Sequence, residues 1–164
     1  MTFEIFNPEV LGAPRGWNNG MLAPDGGRVL FVAGQIGVGG EEGVAGPARA
    51  RGAGGASGAR LAAQFRAALA NVAVVVEEAG GTVADVGRLT IYVTDMEAYR
   101  ESPAEVGAAY RAVFGKHFPA MALVAVTELV DPRAVVEVEA TAVIPQAKPG
   151  GHSAIDLPTK KGQP

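Results

Sequence analysis

Two glutamates separated by one residue, Glu137 and Glu139, are the side chains in this sequence best suited to acid–base chemistry. They lie in the stretch AVVEVEATAVIP, residues 134–145, which alternates with the period of a half-buried β-strand. The two carboxylates therefore share one face of a strand that is otherwise aliphatic. A solvent-facing pair is the simpler interpretation, and the pattern alone leaves open whether either glutamate has a catalytic role.

Other reactive groups are scarce. The 164 residues include two histidines and no cysteine, which excludes disulfides and thiol catalysis. His117 precedes Phe118 and Pro119 at the end of a predicted helix, where a structural role is the simpler interpretation. The glycines of GQIGVGG lack the lysine of a phosphate-binding loop. We predict no cofactor and no metal.

Charge and length restrict the class of protein. A net charge of −3 disfavours a nucleic-acid binder, which normally presents a basic face. The first ten residues lack the basic and apolar regions of a secretory signal, and the apolar runs are shorter than the ~20 residues that span a bilayer. We therefore predict a cytoplasmic protein with one domain over residues 1–145 and a loose tail over residues 146–164.

Hydrophobic periodicity predicts alternating strands and helices. Residues 39–58 contain eight glycines without an apolar period, which predicts a flexible loop. The predicted strands lie at 3–6, 28–38, 86–96, 121–129 and 134–144, and residues 20–33 form a hairpin if residues 20–23 are also extended. The predicted helices are one at 59–81 capped by Ser57 and one from the capping box Ser102–Glu105 to about Gly115.

This order predicts an α+β fold in which one mixed sheet carries two helices on one face. The other face of the sheet is left uncovered, and many of its residues are Val or Ala. An exposed apolar face of this kind usually marks a site of self-association, so we predict an oligomer.

Four stretches together resemble the Rid (YjgF) family: LFVAGQIGV, VGRLTIYVTDMEAY, YRAVFGKHFPAM and VVEVEATAVIP. The resemblance covers roughly residues 16–145. It implies a chorismate-mutase-like fold, a homotrimer whose sheets pack as a barrel, and small-molecule sites in the clefts between subunits. It also implies hydrolysis of enamines and imines to 2-keto acids and ammonia. Some members carry an endoribonuclease label, but paired histidines for RNA cleavage are missing from this sequence.

The resemblance implies which residues line the cleft. Glu137 matches the carboxylate that faces the cleft in the family, whereas Glu139 corresponds to a solvated or inter-subunit position. Substrate contacts are implied for Trp17, which replaces a tyrosine, and for the family's Ser-Gly-Gln, which reads Ala33, Gly34 and Gln35 here. Glu97 replaces an asparagine.

Met121 is the most consequential departure from the family pattern. In active members an arginine directly follows the Pro-Ala that opens the penultimate strand, and it holds the substrate carboxylate. Here the chain reads Pro119, Ala120, Met121. Methionine offers neither charge nor donor. The loss of a charge-assisted bidentate contact, about 2–4 kcal/mol, predicts deamination slower by about 10²–10³.

Three functions therefore stay open. The first is a divergent trimer that binds or transforms another small metabolite in its clefts, with weak or absent deamination of 2-imino acids. The second is an active imine deaminase in which Arg15 or Arg133 replaces the missing cation. The third is a non-catalytic trimer that acts through protein contacts.

Overall fold

A computed structural model describes residues 2–38 and 54–146 of the chain. It contains a mixed sheet of four strands in the order β3-β6-β4-β5, with a separate two-stranded sheet formed by β1 and β2. The strands are β1 Glu4–Phe6, β2 Gly20–Leu22, β3 Arg28–Ile36, β4 Val86–Val93, β5 Ala120–Ala125 and β6 Val136–Ile144, and the helices are α1 Gly54–Glu78, α2 Met96–Glu101 and α3 Pro103–Phe114. Because β4 and β5 are parallel and β6 is antiparallel to β3 and β4, the predicted α+β class with a mixed sheet is confirmed.

The core lies between the sheet and the helices. The alternation read in the last strand is correct, because Val136, Val138, Ala140 and Ala142 are buried while Glu137 and Glu139 lie on the opposite face. Successive residues of a strand point to opposite faces, so this pattern fixes which side of β6 meets the helices. The neighbouring strand β4 contributes the buried side chains Leu89, Ile91 and Val93.

Helix α1 starts earlier than its hydrophobic pattern predicts. The flexible loop predicted over residues 39–58 is wrong for residues 54–58, which are helical, and Ser57 lies inside the helix rather than at its cap. The remainder of that loop, residues 39–53, lies outside the described residues. The C-terminal stop is as predicted: Gly80 has φ +85°, and the Gly81 amide donates to the Val76 carbonyl at 3.0 Å.

The apolar character of α1 comes from its role in the core. Residues Ser57–Glu78 have the length and the mean hydropathy, 1.3, of a segment that could cross a membrane. Five large side chains of this stretch are buried in the core: Leu61, Phe65, Leu69, Val72 and Val76. A helix that covers a sheet needs this composition, so burial against the sheet accounts for it.

Strand β2 does not form a hairpin with β3, which corrects the prediction for residues 20–33. It pairs instead with β1, Glu4 opposite Leu22, in the two-stranded sheet. Strand β3 pairs along its length with β6. Strand β3 is therefore an edge strand of the four-stranded sheet, and nothing in the turn between β2 and β3 explains why β2 pairs with β1.

The start of α3 also differs from the prediction. Ser102 precedes Pro103 as expected, but its side chain makes no capping hydrogen bond. Ser102 is buried against Gly58, where an added Cβ would lie 2.9 Å from the Ser102 Cβ. The sequence pattern also missed α2, which is capped by Asp95 through a 2.9 Å hydrogen bond from the Ala98 amide.

The sheet face opposite the helices carries exposed apolar side chains, as predicted. Val29 and Phe31 of β3 are 57% and 79% exposed, and Val124 of β5 is 45% exposed. These residues alternate with the core-facing positions of their strands. Within residues 2–38 and 54–146, the face therefore has the composition of a surface that packs against another molecule.

Candidate functional site

Glu137 lies against Gly34 at the β3 side of the sheet. The β3–β6 register shifts between Val32 and Gln35, which makes a bulge at Ala33 and Gly34. A Cβ built at Gly34 would overlap the Glu137 Oε1 and lie 2.6 Å from its carboxyl carbon. Only glycine leaves this space, so the bulge and the absent side chain together give the Glu137 carboxylate its position.

Ala33 in this bulge and Gln35 after it were also predicted to contact substrate. Ala33 is exposed, and the Gln35 Nε2 donates to the Ala33 carbonyl at 3.2 Å. The structure therefore brings Ala33 and Gly34 next to Glu137, whereas Gln35 is register partner to the buried Val138 and lies on the helix-covered face at the same end of β3. We refer to Ala33, Gly34 and Glu137 as the carboxylate half.

Tyr92 adds a phenol beside the carboxylate half. It lies directly opposite Glu137 in the β4–β6 register. Loss of solvent around the hydroxyl, followed by the charge of Glu139 and a hydrogen bond with that carboxylate, raises the pKa of Tyr92. The phenol therefore stays protonated at neutral pH and can donate a hydrogen bond on the same face as both glutamates.

Trp17 and Met121 lie at the opposite edge of the sheet. Asn18 forms an isolated parallel bridge with Ala120, which places Trp17 beside the start of β5. Trp17 is 43% exposed. Met121 is register partner to the fully buried Leu89 and packs on the hydrophobic core, so its side chain lies on the helix-covered face. We refer to Trp17 and Met121 as the apolar half.

The carboxylate half and the apolar half are separated within one chain. Strand order β3-β6-β4-β5 puts β3 and β5 on opposite edges. Glu137 lies on β6, two strand spacings or roughly 10 Å from β5, and through Tyr92 it is level with Val124, three residues or roughly 10 Å along β5 from Met121. Glu137 also lies on the uncovered face, whereas Met121 lies on the face that packs against the helices. The predicted site residues therefore form two groups, each at its own edge.

The two arginines considered as replacement cations differ in their contacts. Arg15 is exposed, two residues before Trp17. Arg133 lies in the connection between β5 and β6, where its Nη2 contacts the Asp131 Oδ2 at 2.7 Å. Hydrogen bonds from Arg133 lower the pKa of Asp131 to about 2, so the pair is ionised at neutral pH. Arg133 is therefore already engaged by a carboxylate.

Sequence reasoning missed two residues that shape these halves. Tyr92 could have been recognised from the alternation of β4, which places it on the same face as Arg88 and Thr90. Asn18 gave no such signal, because its role depends on hydrogen bonds to residues about a hundred positions away. Glu97, noted as a replacement for asparagine, is exposed in the first turn of α2.

Comparisons with known proteins point to one family. The family model described as Endoribonuclease L-PSP matches residues 13–144. The 2-iminobutanoate/2-iminopropanoate deaminase of Escherichia coli K12 is 41% identical over 87 residues, which cover 51% of this chain and 63% of the deaminase. The aligned region thus spans less than two thirds of that relative.

Solved structures agree with this assignment over most of the chain. The crystal structure of Rv2704 from Mycobacterium tuberculosis, a member of the YjgF/YER057c/UK114 family, is 32% identical with a TM-score of 0.53. The alignment covers 87% of this chain and 98% of Rv2704. The Rid protein YyfB from Yersinia pestis is 29% identical with a TM-score of 0.64, covering 88% of this chain and 100% of YyfB.

Proposed function

The chain belongs to the Rid (YjgF) family, and from this premise we propose that it binds or transforms a small metabolite in clefts between the subunits of a homotrimer. Classical 2-imino acid deamination is weak in this proposal. The observation that carries it is Met121: the position that follows Pro119 and Ala120 presents a thioether packed on the core, in place of a guanidinium.

The separation of the two halves supports a site between copies. One chain holds Glu137 at its β3 side and Trp17 at its β5 edge, too far apart to contact one small ligand. A cleft that joins the β3 edge of one copy to the β5 edge of the next contains both halves. The exposed Val29, Phe31 and Val124 supply an apolar surface for packing between the sheets.

The chemistry of the cleft favours a ligand with a flat or apolar part. The Trp17 ring can stack on a planar group, while the Met121 thioether, which packs on the core, adds no charge beside it. The Glu137 carboxylate provides an acceptor at the other side, next to the Tyr92 phenol, whose donor is engaged by Glu139. An isolated ligand carboxylate would lack a cation and would lose several kcal/mol on burial.

An active imine deaminase is the second candidate. It is favoured by the 41% identity to the 2-iminobutanoate/2-iminopropanoate deaminase and by the Glu137 carboxylate held against Gly34. In that case Arg15 is the better replacement cation, because Arg133 is paired with Asp131. Hydrolysis would add water to the imine carbon and release ammonia and the 2-keto acid, with Glu137 moving the proton.

Turnover of freshly generated imine distinguishes these candidates. An amino-acid oxidase produces 2-iminobutanoate in situ, and the appearance of 2-oxobutanoate is followed with and without the protein. We expect an acceleration about 10²–10³ below that of an arginine-bearing family member assayed in parallel. A rate equal to that of the arginine-bearing protein contradicts the proposal and supports the deaminase. No acceleration and no ligand-induced rise in Tm across a metabolite panel would instead support a non-catalytic protein.

The proposed assembly is tested separately. Sedimentation velocity should give a trimer, and Phe31→Glu should shift the protein towards monomer because it places a charge on the apolar face. Val74→Glu is the matched control, since Val74 is similarly exposed but lies on α1. A wild-type protein that sediments as a monomer at micromolar concentration would contradict the shared cleft.

A further inference from the structure

We propose that Asn18 and Asn7 act as positioning residues that hold Trp17 as a fixed wall of the site. The segment that carries Trp17, residues 7–19, connects β1 to β2 and has little buried surface. Its large apolar side chains Val10 and Leu11 are 91% and 67% exposed. Apart from Trp17 itself, hydrophobic burial contributes little to the position of this segment, so hydrogen bonds have a large share in fixing it.

The two asparagines supply those bonds. The Asn18 Nδ2 donates to the Phe118 carbonyl at 2.6 Å, and the Asn18 amide donates to the Pro119 carbonyl at 3.2 Å. The Asn7 Nδ2 donates to the Asn18 Oδ1 at 2.8 Å, while the Asn7 Oδ1 accepts from the Asn19 amide at 2.8 Å. Each side-chain amide thus uses both its donor and its acceptor.

This network ties both ends of the segment to the start of β5. Trp17 is adjacent to Asn18, and the strand that begins at Ala120 carries Met121 as its second residue. The distance between the indole and the Met121 strand is therefore set by the asparagines. A binding wall that is fixed before the ligand arrives loses less conformational entropy on binding, which lowers the apparent dissociation constant.

Trp17 is the single tryptophan of the chain, so its fluorescence reports the position of this wall directly. Asn18→Ala should raise the acrylamide quenching constant and lower the steady-state anisotropy of Trp17 in the full-length protein. Asn19→Ala is the matched control, because Asn19 contributes only its backbone amide to the network. Asn7→Ala serves as the second variant, since it keeps the bond to Phe118 and provides a test if Asn18→Ala fails to fold.

A purely structural role predicts a different result. If Asn18→Ala or Asn7→Ala lowers Tm while quenching and anisotropy in the folded protein stay at wild-type values, the positioning role is wrong. The expected fluorescence changes do not depend on the proposed function, whereas the expected change in ligand binding rests on it. There, Asn18→Ala should raise KM for 2-iminobutanoate about threefold to tenfold with kcat nearly unchanged, as expected for one neutral hydrogen bond.

The two proposals fail in distinguishable ways. A raised quenching constant and a lowered anisotropy with unchanged KM would show that the network holds the tryptophan but that the tryptophan is not part of the site. That result would overturn the positioning role. Wild-type protein without any imine turnover would count against a role in imine chemistry. The quenching comparison between Asn18→Ala and Asn19→Ala would then still decide whether the asparagines fix the tryptophan.

Discussion

The carboxylate half and the apolar half of the candidate site follow the family pattern to different degrees. Around Glu137, the carboxylate and Gly34 are the residue types that the resemblance implies, and Ala33 replaces the family's serine. Around Trp17, the tyrosine has become tryptophan and the arginine has become Met121. The residue that we propose for proton transfer is therefore of the expected type, while the residue expected to hold an acid is replaced.

This difference separates the residue proposed for proton transfer from the residues proposed for substrate binding. In the enamine and imine hydrolysis that the family implies, a carboxylate manages protons whatever the rest of the substrate, whereas the cation matters only if the substrate carries an anion. A protein that keeps the carboxylate and replaces the cation is expected to bind or act on ligands that carry another group in place of the anion. The variants below test each half in turn.

Glu137→Gln tests the carboxylate half and has the largest expected effect. Removing a positioned acid–base group typically lowers a rate by about 10²–10⁴, so the weak acceleration of 2-iminobutanoate hydrolysis should fall to the rate of the uncatalysed reaction. The matched control is Glu139→Gln, two residues along the same face of β6. Equal losses in both variants would remove the distinction between the two glutamates.

Met121→Arg tests the apolar half by restoring the cation. We expect kcat/KM for 2-iminobutanoate to rise at least tenfold, because a bidentate contact to the carboxylate adds about 2–4 kcal/mol of binding. Met121→Leu is the control for packing, since it keeps the apolar contact with the core. An arginine variant that folds, yet gains nothing over Met121→Leu, would show that the rest of the cleft no longer accepts an acid.

The fold was predictable from the sequence because its signals are local. The alternation over residues 134–144 and the helical spacing in α1 both follow directly from which residues are apolar. The pairing of β2 was not predictable in this way, since a turn signal between two extended segments does not reveal a better partner elsewhere. The unformed capping hydrogen bond of Ser102 has a similar cause: contact with Gly58 on α1 fixes its side chain.

For the candidate site, the sequence predicted which residues to consider but not where they lie relative to one another. The resemblance indicated Glu137, Gly34, Trp17 and Met121 as candidates, but not that the first two lie on the neighbouring strands β6 and β3 while the last two lie at the β5 edge. Alternation along β5 assigns Met121 and Leu123 to one face without saying which face the helices cover. That assignment requires the register with the buried Leu89.

Gly34→Ala tests whether the missing side chain at position 34 determines where the Glu137 carboxylate lies. The added methyl group would overlap the Glu137 carboxylate, so that side chain must move to another rotamer. Because the overlapping atoms are the far end of a flexible side chain, we expect a loss below about 1.5 kcal/mol in the free energy of unfolding, together with a smaller rate loss than in Glu137→Gln. Urea unfolding and imine turnover measure the two effects. The double variant Gly34→Ala, Glu137→Ala, which lacks the overlapping carboxylate, should be as stable as Glu137→Ala alone only if the overlap causes the loss.

Asp131→Asn has the smallest expected effect and tests whether Arg133 takes part in the site. Because hydrogen bonds from Arg133 lower the pKa of Asp131 from 3.8 to about 2, the ionised pair stabilises the folded state above about pH 4, and this contribution disappears as the pH falls through 2. The pair is exposed, so the change in Tm at pH 7 should be small, and the difference between variant and wild type should vanish near pH 2. Imine turnover should stay unchanged, because Arg133 lies in the β5–β6 connection rather than in either half of the site. A gain in turnover on freeing Arg133 from its carboxylate would identify it as the missing cation, and the apolar half would then no longer distinguish this protein from a deaminase.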